Sequence, residues 1–579
     1  MAKQLMLGNE AIARGVWEAG LNVVSSYPGT PSTEITEYCS KYPEIYCEWA
    51  SNEKVAAEVC AGVSVGGARA LCCMKHVGLN VAADPLYTAS YTGVNGGFVV
   101  VVADDPGMHS SQNEQDSRIH ARGAQLPLLE PADSQECKDF AKLAFEISEQ
   151  YDTPVLLRTT TRIAHARSLV EVGERQENPL KEYVKNPLKY VMMPGMARQR
   201  HKVVEARMDK MAQDACEWPI NRIEMNDKKI GVICSGIAYQ YVKDALPEAS
   251  VLKLGLINPL PRALIERFAA QVEKLYVFEE LEPVIEEQVA SWGIACEGKR
   301  LTGRQGELSA RKIGAIMGKA LPEVTESEEI PARPPVMCPG CPHRGPYSVI
   351  HKLGLHATGD IGCYTMGALK PLESIDTCLC MGASIGMSHG LDKARGKDFA
   401  QKTVAVIGDS TFIHSGITGL VSAVYNRSHI TVMILDNSTT GMTGHQPNPA
   451  TGYDIYGQQT AQVSLEKMCE ACGCEHIVTV DAFDMKGLEK ALREETQREA
   501  VSVIIARRPC ALLDKKSRKE PLISDPAKCK NCGACMKLGC PAIEKREKHV
   551  FINPALCVGC GLCVQTCKFS AIGKAGDQA

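Results

Sequence analysis

The sequence predicts a multidomain α/β protein: two large parallel-sheet domains, a smaller α/β domain between them, and a cysteine-rich module at the C-terminal end. Three observations carry this. Short apolar runs rich in Val, Ile and Leu recur between helical stretches, as strands buried on both faces of a parallel sheet must read. At roughly 100–200 residues per domain, 579 residues call for several cores. Eight of the 26 cysteines fall within the last 51 residues, in two regularly spaced runs.

Taken in order, the first 20 residues read as a short strand and an amphipathic helix. Within residues 1–175, apolar runs at 96–106 and 153–161 alternate with Gly-punctuated helical stretches, the pattern of a parallel α/β domain. Residues 176–226 are rich in Lys, Arg, Glu and Met without strand-like runs, and are expected as an irregular, partly helical connection. A smaller α/β domain follows at 227–325, with strands expected at 229–236, 250–256 and 274–280. The charged, Pro-rich stretch 323–336 reads as a linker. A second large domain occupies 335–513, with buried strands at 403–409, 430–437 and 502–509. The basic string from Lys515 to Lys519 would attract an acidic electron acceptor or serve as a solvated linker. The last module spans 524–579.

That module has the spacing Cys529-x2-Cys532-x2-Cys535-x4-Cys540, then Cys557-x2-Cys560-x2-Cys563-x3-Cys567. A four-iron cubane needs four thiolates, three of which one tight loop supplies. In two-cluster ferredoxins the last cysteine of each run serves the other cluster. The expected sets are Cys529, Cys532, Cys535 and Cys567 for one [4Fe-4S] cluster, and Cys540, Cys557, Cys560 and Cys563 for the other. Zinc sites use pairs of cysteines rather than triplets, and disulfides do not suit a chain that opens without a secretory pattern.

Net charge is −4, which gives no electrostatic case for nucleic acid or membrane. No run of 18 uncharged apolar residues occurs, and so many cysteines would be a hazard in an oxidising compartment. A cytoplasmic protein of an anaerobic cell is expected.

Gly408-Asp409-Ser410 ends one apolar run and Asp436-Asn437 the next, with 25 residues between Ser410 and Asp436. This fits one strand–helix–strand unit, which sets both motifs at the carboxyl edge of a parallel sheet, where such sheets bind ligands. A carboxylate and an amide oxygen placed there suit magnesium, and a helix beginning at Asp409 would aim its amides at phosphate. The pair resembles the thiamine diphosphate motif GDG…NN, departing from it at Ser410 and Asp436. By that resemblance Asp409 and Asn437 bind Mg2+ through their side chains and Thr439 through its carbonyl. Gly382, Gly408 and Ser410 lie against the cofactor. Glu53-x2-Ala56-x5-Gly62 matches the helix that, in such enzymes, presents a catalytic glutamate to the aminopyrimidine; an exposed helical glutamate is the bland alternative.

Together these motifs resemble the 2-oxoacid:ferredoxin oxidoreductases over nearly the whole chain. Tyr27-Pro28-Gly29-Thr30-Pro31-Ser32 is similar to a signature whose threonine contacts the substrate carboxylate, which gives Thr30 that role. Residues 1–175 then become the pyrimidine-binding domain, 227–325 a transketolase C-terminal-like domain, and 335–513 the diphosphate- and magnesium-binding domain. The domain order with a fused two-cluster tail is most similar to the large subunit of the indolepyruvate-type branch. The resemblance implies oxidative decarboxylation of aryl 2-oxoacids to acyl-CoA with electrons passed to ferredoxin. It also implies a separate smaller gamma-type (beta) subunit and a dimer of heterodimers. Other substrates, 2-oxoglutarate or branched-chain 2-oxoacids, stay open, as does a non-oxidative decarboxylase. Gly29 either opens room for an aryl ring or merely suits the turn. Cys338, Cys341, Cys363 and Cys510 match the ligands of a third, proximal cluster in the pyruvate enzymes; C-P-G-C could equally be a tight turn. Cys378 and Cys380 are expected in the core, and Cys469, Cys472 and Cys474 as packing.

Overall fold

The structure, a computed structural model, describes residues 2–319 and 334–575. Most of the expected linker 323–336 lies outside the described residues. Two compact units flank that gap in the description.

The first unit is built on a seven-stranded sheet. Its order is Leu256–Asn258, Leu128–Leu129, Val155–Thr160, Phe98–Asp104, Ala70–Lys75, Val23–Ser26 and Tyr46–Trp49. All neighbours are parallel except the first pair. Phe98–Asp104 is buried along its whole length, which explains its uninterrupted apolar run. A second sheet holds Lys274–Phe278, Asp227–Ser235, Ala249–Leu254 and Arg222–Glu224, the last antiparallel. Buried charges tie the helix Ser117–Ala124 to the end of Lys274–Phe278: Arg118, paired with Asp116 at 2.6 Å, also pairs with Glu279 at 2.7 Å. Leu256–Asn258 leaves the smaller domain's stretch of chain to extend the larger sheet.

Residues 176–226 are partly helical, as expected, but more regular than expected. They contain a 21-residue helix, Pro194–Asp214, and the strand Arg222–Glu224. Only Val204, Arg207 and Met211 of that helix are buried, a stripe too thin to stand out among its Lys, Arg and Glu.

The second unit carries a six-stranded, wholly parallel sheet in the order Thr377–Cys378, His356–Gly359, Thr403–Gly408, Thr431–Asp436, Ser502–Arg507, His476–Asp481. Because every strand runs the same way, the segments after Gly359, Cys378, Gly408, Asp436 and Arg507 all emerge at one edge. Cys378 and Cys380 are exposed, contrary to the core expectation, because Thr377–Cys378 is a two-residue strand at the edge of the sheet, with no further strand beside it among the described residues. Cys469 and Cys474 pack in the core with Leu465 and Val501. The C-terminal module folds on two short antiparallel pairs, Ile523–Ser524 with Ile572–Gly573 and Ile543–Lys545 with Val550–Ile552. It packs on Phe483 and Met485 of the sheet domain. Gln565 Nε2 donates to the Phe483 carbonyl at 2.8 Å. No helix among the described residues is long and apolar enough to cross a membrane.

Candidate functional site

In the second unit, Asp409 starts a helical stretch directly after Gly408, and Asn437 follows the next strand over. One end of the Asn437 side-chain amide lies 3.2 Å from Asp409 Oδ1 and 2.8 Å from the Thr439 carbonyl oxygen. With nitrogen at that end, the amide donates to both. With oxygen there, three acceptors face one another, an arrangement that a bound cation satisfies. Adjacent ligands on a magnesium octahedron with ~2.0–2.1 Å bonds stand about 2.9 Å apart, which these spacings match. Burial first, and then the Asp436 charge, pushes the Asp409 carboxyl up to about 7. Carboxylate, amide and carbonyl form a donor set for a hard, oxygen-seeking cation, and the residues fit Mg2+.

The two departures from the motif have structural reasons. Ser410 Oγ accepts a hydrogen bond from Thr440 Oγ1 at 3.0 Å, tying the first loop to the second. Asp436 accepts from Ser438 N at 3.1 Å and from Arg507 Nε at 2.6 Å, so its carboxylate braces the loop that carries Asn437. Gly382 sits at the same edge with φ +83°, and a β-carbon there would stand 2.2 Å from Ser415 Oγ. Asp360, unnoticed in the sequence, fixes this loop. Its Oδ1 accepts from Gly382 N at 2.9 Å and its Oδ2 from Ser384 N at 3.1 Å.

Cys363 and Cys510 emerge at this edge too. The Cys363 thiol has Cys510 and Cys338 as electrostatic neighbours, and Cys341 has Cys363 and Cys338. Burial, then neighbouring thiols, pushes Cys363 up to about 11; Cys341, buried more deeply, is pushed up to about 12. A β-carbon at Gly441 would meet Asn437 Nδ2 at 3.4 Å and Cys363 Sγ at 3.5 Å, so this thiol group borders the oxygen-lined site.

In the C-terminal module one cavity is lined by Cys540, Cys557, Cys560 and Cys563, and another by Cys529, Cys532, Cys535 and Cys567. Each collects three cysteines of one run and the last of the other. Backbone amides point at sulfur: Leu522 N at Cys557, Asn531 N at Cys529 and Ala571 N at Cys567, each at 3.4 Å. Among the described residues no three His, Cys, Asp or Glu side chains are drawn into a closed metal cage; the thiols line cavities instead.

In the first unit, Glu53 is the first residue of the helix Glu53–Val65, whose cap is the Asn52 side chain accepting from Val55 N at 2.9 Å. Glu53 is buried, and its carboxyl lies over Gly78, a residue the sequence did not single out. Thr30 is half-buried in the turn after Val23–Ser26. The space at Gly29 is not open: a β-carbon there would stand 3.2 Å from the Lys75 β-carbon. Its φ is not in the left-handed region, so the turn does not demand glycine either. Glycine admits Lys75, whose buried ammonium donates to the Ser110 carbonyl at 2.8 Å. Burial lowers the Lys75 pKa and Asp105 opposes that.

Residues 14–225 match the family described as pyruvate flavodoxin/ferredoxin oxidoreductase, thiamine diphosphate-binding. Residues 360–506 match the C-terminal TPP-binding domain of thiamine pyrophosphate enzymes, and 521–568 a 4Fe-4S dicluster domain. The chain is 41% identical to indolepyruvate oxidoreductase subunit IorA of Archaeoglobus fulgidus, over 93% of this chain and 92% of that one. It is 42% identical to the protein of the same name from Pyrococcus abyssi, over 98% and 96%. A 2-oxoglutarate synthase subunit KorA of Archaeoglobus fulgidus is 22% identical over 48% of this chain and 88% of that one.

Proposed function

Because the chain belongs to the 2-oxoacid:ferredoxin oxidoreductases, thiamine diphosphate enzymes with iron–sulfur clusters, we propose that it oxidatively decarboxylates aryl 2-oxoacids of the indolepyruvate type. The acyl group would go to CoA and the electrons through the clusters to ferredoxin. The observation that carries this reading is the meeting of Asp409, Asn437 and Thr439 oxygens in the same compact unit as two four-thiol cavities. A cofactor anchor and an electron exit built together suit oxidation, not simple release of aldehyde.

Asp409, Asn437 and the Thr439 carbonyl hold Mg2+, and Gly382, Gly408 and Ser410 border the diphosphate. The cofactor, when bound, acts as the electron sink for the carbon that loses carbon dioxide. Glu53 holds a proton at the aminopyrimidine N1′, and its burial keeps water from competing for it. Thr30 and the Lys75 ammonium receive the substrate carboxylate beside the Gly29 turn. Cys540, Cys557, Cys560 and Cys563 hold one tail cluster and Cys529, Cys532, Cys535 and Cys567 the other. Cys338, Cys341, Cys363 and Cys510 hold a proximal third.

The relatives' names designate a subunit, which supports a partner subunit; that partner is the smaller gamma-type chain, joined with this one as a dimer of heterodimers, and the tail clusters pass electrons to ferredoxin. The test is an anaerobic panel of indolepyruvate, phenylpyruvate, pyruvate, 2-oxoglutarate and a branched-chain 2-oxoacid with CoA and a viologen, in the presence of the partner. Aryl substrates should give the highest kcat/KM. A preference for 2-oxoglutarate, or carbon dioxide release without viologen reduction, would overturn the reading.

A further inference from the structure

Arg344 follows the C-P-G-C loop as the first residue of the helix Arg344–Leu353 and is 2% exposed. Its guanidinium is satisfied by carbonyls alone. Nη1 donates to Leu538 O at 2.8 Å, Nη2 to Met337 O, and both Nη2 and Nε reach Cys338 O at 3.4 Å. Among the described residues no carboxylate pairs with it. Neutral oxygens relieve the guanidinium's hydrogen-bonding demand and leave its charge unanswered, a costly state for a buried ion.

Where that charge faces is defined. Arg344 lines the cavity of Cys540, Cys557, Cys560 and Cys563. Its leading ionisable neighbours are thiols, Cys540 and Cys560 on the tail side, Cys341 and Cys338 on the other, which carry charge only as thiolates. Gly539, next to Cys540, has φ +62°, and a β-carbon there would stand 3.3 Å from Arg344 Nη1. The tail loop therefore closes down on the guanidinium.

We propose that Arg344 is the built-in counter-ion of the cluster held by Cys540, Cys557, Cys560 and Cys563, raising that cluster's reduction potential above its tail neighbour's. A cubane on four thiolates is an anion, and reduction adds one more negative charge. A fixed buried cation therefore stabilises the reduced state more than the oxidised one. The same guanidinium ties the tail loop, through Leu538, to the C-P-G-C loop, through Met337 and Cys338. The cluster nearest the sheet domain would thus be the one tuned to accept electrons first. This rests on the cluster ligands assigned under the proposed function.

The experiment is an EPR-monitored redox titration of the anoxically purified holoenzyme and its Arg344→Gln and Arg344→Lys variants, with iron counted in each. Gln keeps hydrogen-bond donors and removes the charge; Lys keeps the charge. In Arg344→Gln one cluster's reduction equilibrium constant should fall about tenfold, ~59 mV for one electron. The other tail cluster should stay within about twofold, and Arg344→Lys should restore most of the shift. Full iron with every midpoint unmoved, or an equal shift of all clusters, would overturn the proposal. If Arg344→Gln loses iron, Arg344→Lys decides: retained iron and near-native midpoints support a role for the charge, and loss in both variants overturns it. Fewer than about eight irons per chain in the unaltered enzyme would instead mean that the cluster assignment itself has failed.

Discussion

Glu53 and Gly78 fit together as side chain and vacancy: a β-carbon on residue 78 would stand 2.6 Å from Glu53 Oε1 and 2.7 Å from its Cγ. Gly78 lies in the short helix His76–Val81 that follows Ala70–Lys75. The carboxyl is therefore positioned by an element remote from its own helix. Gly78→Ala should push the carboxyl aside and lower turnover by roughly 100-fold, the cost of about 1 Å of misplacement. Glu53→Gln should keep the packing and remove the proton, lowering kcat by about 10²–10⁴. Both variants should still bind thiamine diphosphate by calorimetry. Near-normal turnover in Glu53→Gln would assign cofactor activation to another group.

Asp409→Ala removes the one carboxylate of the proposed magnesium site. Retention of Mg2+ and thiamine diphosphate should fall together, by more than the ~10–100-fold typical of losing an outer-shell partner. Cofactor content after desalting measures this. Full occupancy in the variant would refute the metal-site assignment.

How much of this the sequence disclosed follows from the physics of each residue. Asp409 with Asn437, and each triplet of tail cysteines, are fixed by spacing along the chain. One strand–helix–strand unit, or one tight loop, brings them together whatever the rest of the fold does. Arg344 acts through an approach between segments distant in sequence, to Leu538, whereas Gly78, Lys75 and Asp360 meet partners no more than a few dozen residues away but carry no spacing motif that marks them. Gly29 misled for the same reason: its missing side chain suggested open space, but Lys75 fills that space from another strand. Cys378 and Cys380 misled because an apolar run reads alike in a central strand and at a bare edge. The helical content of residues 176–226 was legible, but the bounds of Pro194–Asp214 were not, because only three of its residues are buried.

Lys75 carries its charge into a buried setting, where its ammonium donates to the Ser110 carbonyl and Asp105 partly offsets the cost of burial. Lys75→Met should raise the KM for 2-oxoacid roughly 10–100-fold, the worth of a hydrogen bond to a charged group, with a smaller effect on kcat. Steady-state kinetics with the viologen assay separate the two. A fall in kcat alone would move Lys75 from substrate binding to the chemical step.

Cys363→Ala tests the proximal cluster without disturbing the tail, whose packing on Phe483 and Met485 makes truncation a poor choice. If Cys338, Cys341, Cys363 and Cys510 hold a cubane, iron should fall from about twelve to about eight per chain while both tail clusters remain. Iron unchanged at about eight in both proteins would make C-P-G-C a structural turn.

Glu280 predicts how the first unit responds to pH. It is 7% exposed, its carboxylate accepts from Leu308 N at 2.9 Å, and burial pushes its pKa up to about 7. Glu307 and Glu130 push the same way, while the Leu308 amide and Arg158 oppose. A carboxyl whose pKa is higher folded than unfolded binds more protons when folded, so stability falls as pH rises. The contribution is whole below about 4.5 and gone above about 7, a span on the order of 3 kcal/mol. Glu280→Gln keeps the acceptor for Leu308 N and cannot ionise. Relative to the native protein, the variant should gain resistance to thermal unfolding between pH 5.5 and pH 8, with the difference levelling off about one unit above the folded pKa. Melting curves that stay parallel across that range would show that Glu280 ionises as freely in the fold as in the unfolded chain.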